Sequence, residues 1–318
     1  MIWLLIHLHR RVIWIWLALA AVMAAIVTAL WLDTVSTQAA VVACMTRVTS
    51  SSNPSLAACS PAGGDALVWF TTVNHRIQWA LIAVPLLMGV FMAAPLMGRE
   101  LENRTHRLVW TQGITPMQWF ASNLASILMF CFALTAVLLV AAGLWLSLAS
   151  RITNDWAQFD LYPPVFLSYV AFAVSLGLAV ATVVGRTVPA MAVTGLIWIA
   201  IRGATGILAR PMLIPALVRR DMSAATAGRD WFLAPTYLDS SGHQMSEAQI
   251  DGLLQRWGGS GADPITLLQQ HGIFMAGLYQ PASRFWVFQS IETFIFVMLS
   301  VGCILVSIAW VRLRLTSE

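Results

Sequence analysis

Opposite charges stand four residues apart twice in GRELENRTHRLVWTQGITPMQWF, from Gly98 to Phe120: Glu100 with Arg104, and Glu102 with His106. On a helix such pairs meet, with Leu101 and Leu108 on the opposite face. Gly113 predicts a stop, Thr115 a cap for the next helix, and Pro116 its first turn. The chemistry of this segment is recognition: a short amphipathic helix lying on a membrane surface and offering charges to a cytosolic partner. An ordinary charged loop between spans fits the same residues, because short charged windows match helical templates easily.

Two further ionisable residues lie inside apolar runs. Arg202 is six residues before the end of its run at Leu208, and Glu292 is seven residues into the run that opens at Phe285. At about 1.5 Å rise per residue, both sit about 9–10 Å below the same surface. A charge at that depth is expensive and is usually paired. The expected arrangement is an ion pair between the fifth and sixth spans. The alternatives are separate snorkelling to the surface and contact with a substrate. Cys44 and Cys59 fall in a segment expected to face an oxidising compartment. A disulfide there closes a 16-residue segment and is worth about 3 kcal/mol in the chain-entropy view; two free thiols are the alternative. Cys131 and Cys303 lie within spans and read as small core residues. No metal site is read. His7 and His9 adjoin Arg10 and Arg11 at a membrane edge, and His75, His106, His243 and His271 are scattered. No catalytic arrangement of Ser, His and carboxylates is visible from spacing.

The elements that hold these residues are dictated by composition. The chain has 318 residues, 59% hydrophobic and 10% charged, with a mean hydropathy of +0.76. Soluble domains carry about 25% charged residues, so this is a polytopic membrane protein. With about 20 apolar residues per crossing, six spans are expected: Val12–Leu32, Ile77–Met97, Trp119–Leu148, Val165–Val184, Pro189–Leu208 and Phe285–Val311. The apolar run near the start is too long for a cleaved signal peptide. Arg10, Arg11, Arg99, Arg104, Arg107, Arg186, Arg312 and Arg314 gather on one side, which places both termini in the cytoplasm. The chain then divides into an entry helix over 1–11 and spans one to five over 12–208. These five carry an outer loop at 33–75 and a cytoplasmic segment at 98–117. An outer subdomain occupies 209–284, and the sixth span with its tail occupies 285–318. Within the subdomain, Ser246 and Gln249 fit a capping box for a helix through Leu254. Asp263 and Pro264 open another helix that Gly272 ends. The expected fold is all-α and membrane-embedded.

All 18 basic residues are Arg. A nucleotide-binding phosphate loop needs a Lys on the phosphates, so any ATP that drives this protein is bound by another polypeptide. The net charge of +4 comes from dispersed Arg residues without a basic stripe or interleaved stacking aromatics, which argues against nucleic acid as a partner. Trp79, Leu86, Phe91, Leu196 and Trp198 give the second and fifth spans bulky faces. These could line a cavity for a hydrophobic compound, or face lipid and neighbouring helices.

Three stretches together resemble ABC-2-type exporter permeases, especially those of high-GC Gram-positive bacteria. They are GRELENRTHRLVWTQGITPMQWF, the N-terminal IHLHRRVIW, and YQPASRFWVFQSIETFIF from Tyr279 to Phe296. The likeness runs over essentially the whole chain. One departure stands at Asn103-Arg104-Thr105, where the family usually has Gly before Thr. The resemblance implies a six-span half-transporter. Two copies, identical or closely homologous, would pair with two ATPase subunits that bind ATP and Mg. It implies a coupling helix around Glu100–Trp110, with Glu100, Glu102, Arg104 and Arg107 contacting the ATPase and Arg10 and Arg11 nearby. The second and fifth spans would form the path at the dimer axis, and a hydrophobic or amphipathic compound would leave by alternating access. Two other functions compete. One is a non-transporting immunity or sensor protein that binds a ligand through its outer segment. The other is an ion-coupled transporter, which expects ionisable groups nearer the midplane.

Overall fold

The computed structural model describes residues 21–32, 61–105, 113–152, 155–220, 229–257 and 264–315, with Trp14, Leu17, Ala18, Val35, Val42, Ala43, Thr46 and Thr111 besides. The entry helix with Arg10 and Arg11, the cysteines Cys44 and Cys59, and His106 and Arg107 lie outside the described residues. Of the expected first span, Ala21–Leu32 (α1) is an apolar helix. Five helices among the described residues are long and apolar enough to cross a membrane: Val68–Glu102, Pro116–Ser147, Asp155–Val184, Thr187–Met212 and Ala282–Leu313.

The second span (α2) runs from Pro61–Met88 through a π turn at Gly89–Ala93 into Ala94–Glu102. Pro85 has no N–H to donate within this helix, and the wider π turn follows one turn later, with the Ala94 N–H reaching the Gly89 carbonyl. This turn lies hard against the fourth span, α4 (Pro163–Val184). A Cβ on Gly177 would stand 2.5 Å from the Gly89 carbonyl oxygen, and one on Gly89 would stand 2.6 Å from that of Ala173. Only glycine permits the two backbones to approach so closely. The third span, α3 (Pro116–Ile152), is capped by Thr115 as the sequence predicts, and Gln118 completes a capping box: the Gln118 N–H donates to Thr115 Oγ1 at 3.2 Å, and the Thr115 N–H to Gln118 Oε1 at 3.1 Å.

α4 is the buried axis of the bundle. Phe166, Tyr169, Val170, Phe172, Val174 and Leu178 along it are all buried. α2, α3, α5 (Thr187–Gly203) and α8 (Phe285–Trp310) all pack on it. α8 runs along α4, and α5 along α4 and the last turns of α2. The sixth span is therefore fixed to the fourth, where the sequence reading expected it against the fifth. The turn from α4 to α5 is two residues long, and Gly185 with φ 67 makes it possible. α5 continues through a second π turn, Ala204–Ala209, to Met212.

Between the fifth and sixth spans lies a four-stranded antiparallel sheet of order β1-β4-β2-β3. Its strands are β1 (Leu217–Arg219), β2 (Trp231–Leu238), β3 (Gln244–Met245) and β4 (Phe274–Gln280). The all-α membrane fold holds for the bundle, and the sheet is an addition to it. Pro235 obscures β2 in the sequence, because proline argues against a central strand. β3 pairs only with Tyr237 and Leu238, so β2 is an edge where Pro235 falls. Helices α6 (Glu247–Trp257) and α7 (Pro264–Gln270) enclose a small core of Ile250, Leu268 and Ile273. The capping box of α6 forms as predicted, with the Ser246 N–H donating to Gln249 Oε1 at 2.8 Å and the Gln249 N–H to Ser246 Oγ at 3.3 Å.

Candidate functional site

Two polar constellations stand at opposite ends of the bundle. At one end α2 terminates, and its last turn holds the starts of two other spans. Glu100 Oε2 accepts the Trp119 indole N–H at 2.6 Å and the Asn123 amide at 3.2 Å, both on α3. Glu102 Oε2 accepts the Thr187 backbone N–H at 3.0 Å and its hydroxyl at 2.8 Å, at the first turn of α5. The helix then stops: Asn103 is its C-cap, and Arg104 has a φ of 55. A left-handed arginine cannot continue a helix, so the uninterrupted helix expected from Glu100 to Trp110 does not form. Thr105 and Thr111 are helical again. The expected meeting of Glu100 and Arg104 on one helical face is lost with that break. Glu100 turns inward to α3, and Arg104 is exposed.

At the other end, the 3-10 segment Asp155–Leu161 brings Asp160 under the sheet. Arg202 pairs with Asp160 at 2.6 Å. Arg210 bonds Asp160 at 2.5 Å and Glu292 at 2.8 and 2.9 Å through two nitrogens. The Tyr169 hydroxyl bonds both Asp160 and Glu292. The Arg202 guanidinium lies 4.7 Å over the Tyr169 ring, and that of Arg210 lies 4.2 Å over Phe159. The direct Arg202–Glu292 pair expected from sequence is therefore replaced by a four-charge cluster in which each takes another partner. Two positive and two negative charges cancel, which is how ionised groups persist so far from water. Sequence reasoning missed Asp160 and Arg210, because both lie at span ends where a charge attracts no notice. Gly206 leaves room for Arg202, since a Cβ there would run into the guanidinium. Aromatic rings close the cluster on its outer side. Trp156 stacks on Trp231 of β2 with centroids 5.2 Å apart and meets Phe285 and Phe288 edge-on. Asn74 Oδ1 accepts from Trp145 Nε1 and from Gln158 Nε2 of the same 3-10 segment, each at 2.9 Å.

The five bulky residues of the second and fifth spans do not converge. Trp79, Phe91 and Leu196 are exposed on the single chain, and Leu86 is half-buried. Trp198 is buried among Tyr169, Phe172 and Leu176. Cys131 and Cys303 are free thiols within spans. Among the described residues, no three His, Cys, Asp or Glu side chains are grouped to hold a metal.

Residues 9–210 match the family described as ABC-2 membrane transporter related. The chain belongs to this family. It is an ABC-2-type permease, a multi-pass transmembrane component. The matched stretch takes in both glutamates at the end of α2, along with Asp160, Tyr169, Arg202 and Arg210, and stops before the sheet. Neither the curated proteins nor the solved structures give the permease a match.

Proposed function

We propose that this permease is the membrane half of an ATP-driven exporter that moves a hydrophobic or amphipathic compound outward by alternating access. The observation that carries this reading is the last turn of α2. It grips α3 through Glu100 and α5 through Glu102, immediately before the exposed turn at Arg104. A soluble partner that pushes on that turn moves two further spans with it. The partner is a separate ABC ATPase in two copies, binding ATP and Mg, and a second permease copy completes the assembly as a homodimer. Arg104 and Arg107 meet the ATPase, with Arg10 and Arg11 beside them and the two glutamates behind. Both termini are cytoplasmic, the sheet faces outward, and Cys44 and Cys59 are bridged outside the cell. Exposed Trp79, Phe91 and Leu196 face the second copy and border the path. ATP-driven closure of the ATPases biases the spans between two packings.

The test is co-purification of the permease with the ABC ATPase encoded nearest to it. Wild type should give a stable complex with ATPase activity, and Arg104→Glu/Arg107→Glu should lose it while the membrane chain stays folded. If no ATPase associates with the folded wild-type chain, the exporter reading fails. The sheet would then become the place to look for a ligand.

A further inference from the structure

The fifth span starts without a cap of its own. Arg186 occupies the cap position with φ −134 and ψ 137 and makes no capping bond. Its guanidinium carries donors only, so it cannot accept from the first-turn N–H groups of α5. Glu102 supplies that acceptor from another helix, 85 residues away in the chain, through both the N–H and the hydroxyl of Thr187. Its negative charge also suits the positive end of the α5 dipole. One turn back on α2, Gly98 lies so close that a Cβ would stand 2.9 Å from Thr187 Cα. The ends of the two helices thus meet at backbone distance and are locked by one carboxylate. Glu102 is also the last residue of α2 before the chain breaks at Asn103 and Arg104.

We infer that Glu102 is a positioning residue that caps the fifth span from the second and carries movement of the Arg104 turn into it. It acts through Thr187 and is not itself a contact to the ATPase. The inference rests on the ATP-driven reading above, but its structural half can be measured on the permease alone. Glu100 does not serve the same role, because its partners, Trp119 and Asn123, lie on α3 just across the loop.

Spin labels give the experiment, on a background with the four native cysteines replaced by Ser. In the purified permease, Arg104→Cys and Val188→Cys report the distance across the link. The distribution should be narrow in wild type, at least twofold broader in Glu102→Ala, and intermediate in Glu102→Gln, which keeps an acceptor but loses the charge. Thr187→Ser keeps both donors and should match wild type. Equal widths in wild type and Glu102→Ala overturn the inference. In the complex with the ATPase, labels at Val193→Cys on α5 and Val301→Cys on α8, both exposed positions, should shift on addition of ATP and vanadate. Glu102→Ala should lose at least half of that shift while still binding the ATPase and hydrolysing ATP. A full shift reduces Glu102 to a local cap and overturns the inference, as does loss of the ATPase from the variant, which makes Glu102 a contact. Failure of any ATPase to bind wild type sinks the exporter reading and the transmission step with it, while the width measurement still reports on the cap.

Discussion

The two ends of the bundle are held by opposite kinds of electrostatics. At the sheet end, four charges and one phenol share partners: Asp160 has two arginines, and Arg210 has two acids. At the other end, Glu100 accepts from an indole and an amide on α3, and Glu102 accepts from a backbone N–H and a hydroxyl on α5 with the Arg186 charge beside it. The cluster is largely buried and its charges share partners, so parting any one pair leaves a charge where little water reaches to replace the lost partner. Opening there is all-or-none. The glutamate links are separate from each other, so they yield one at a time. A partner that pushes gradually has purchase only at the second end, and a cooperative response belongs to the first.

The largest effect should come from the residue that the cluster is built around. Arg210→Met leaves Glu292 with the Tyr169 hydroxyl but no cation, and removes one of the two arginines on Asp160. It should cost about 3–5 kcal/mol, the usual result of breaking a buried pair from one side. Arg202→Met should cost clearly less, because Asp160 retains Arg210 and Tyr169. Thermal unfolding of the purified chain in detergent measures both; equal losses would mean that the charges act as separate pairs and not as one unit. The next effect lies midway between the ends. Gly177→Ala drives a methyl group into the Gly89 carbonyl and should cost about 1–3 kcal/mol by overpacking. Smaller again is Trp119→Phe, which keeps the ring and removes one donor from Glu100, for about 1–2 kcal/mol. If it proves as severe as Arg210→Met, the contrast between an end of shared charges and an end of separate links is wrong.

How much of this was legible beforehand depends on the range of the interaction. Five of the six expected spans were plain, because an apolar run of bilayer length has few other uses. The Thr115 cap and the Ser246–Gln249 capping box were legible too, since each lies within one turn of chain. Arg202 and Glu292 were legible as charges that need partners, and both have them. Their partners were misassigned because pairing is decided by which helices touch, and sequence periodicity does not say that α8 runs along α4. Glu102 is the opposite case. Its local spacing to His106 fits a helical pair, but the helix ends at Asn103, and the carboxylate bonds Thr187 far along the chain. The sheet stayed hidden behind Pro235, an acceptable strand residue only because β3 is two residues long.

The smallest expected effect isolates what makes Glu102 different. Asp239 is another carboxylate that holds backbone N–H groups. Its Oδ1 accepts the Ser241 N–H at 2.9 Å, the Ser241 hydroxyl at 2.6 Å and the His243 N–H at 2.9 Å. The Ser241 hydroxyl, then the His243 N–H, hold its carboxyl below the ordinary value of 3.8. A depressed folded-state value contributes stability that is fully present above the unfolded value and disappears as pH falls through the folded one. Acidification below about pH 4 should therefore loosen the turn between β2 and β3, and Asp239→Asn should abolish that pH dependence. Faster amide exchange at Ser241 and His243 is the signal to follow. Every partner of Asp239 lies within four residues, so the label distance between Val193→Cys and Val301→Cys should not change. A carboxylate of the same chemistry at Glu102 spans 85 residues and should move that distance in the driven complex. If Asp239→Asn alters the α5–α8 distance as much as Glu102→Ala does, chain separation is not what distinguishes a local cap from a transmitting one.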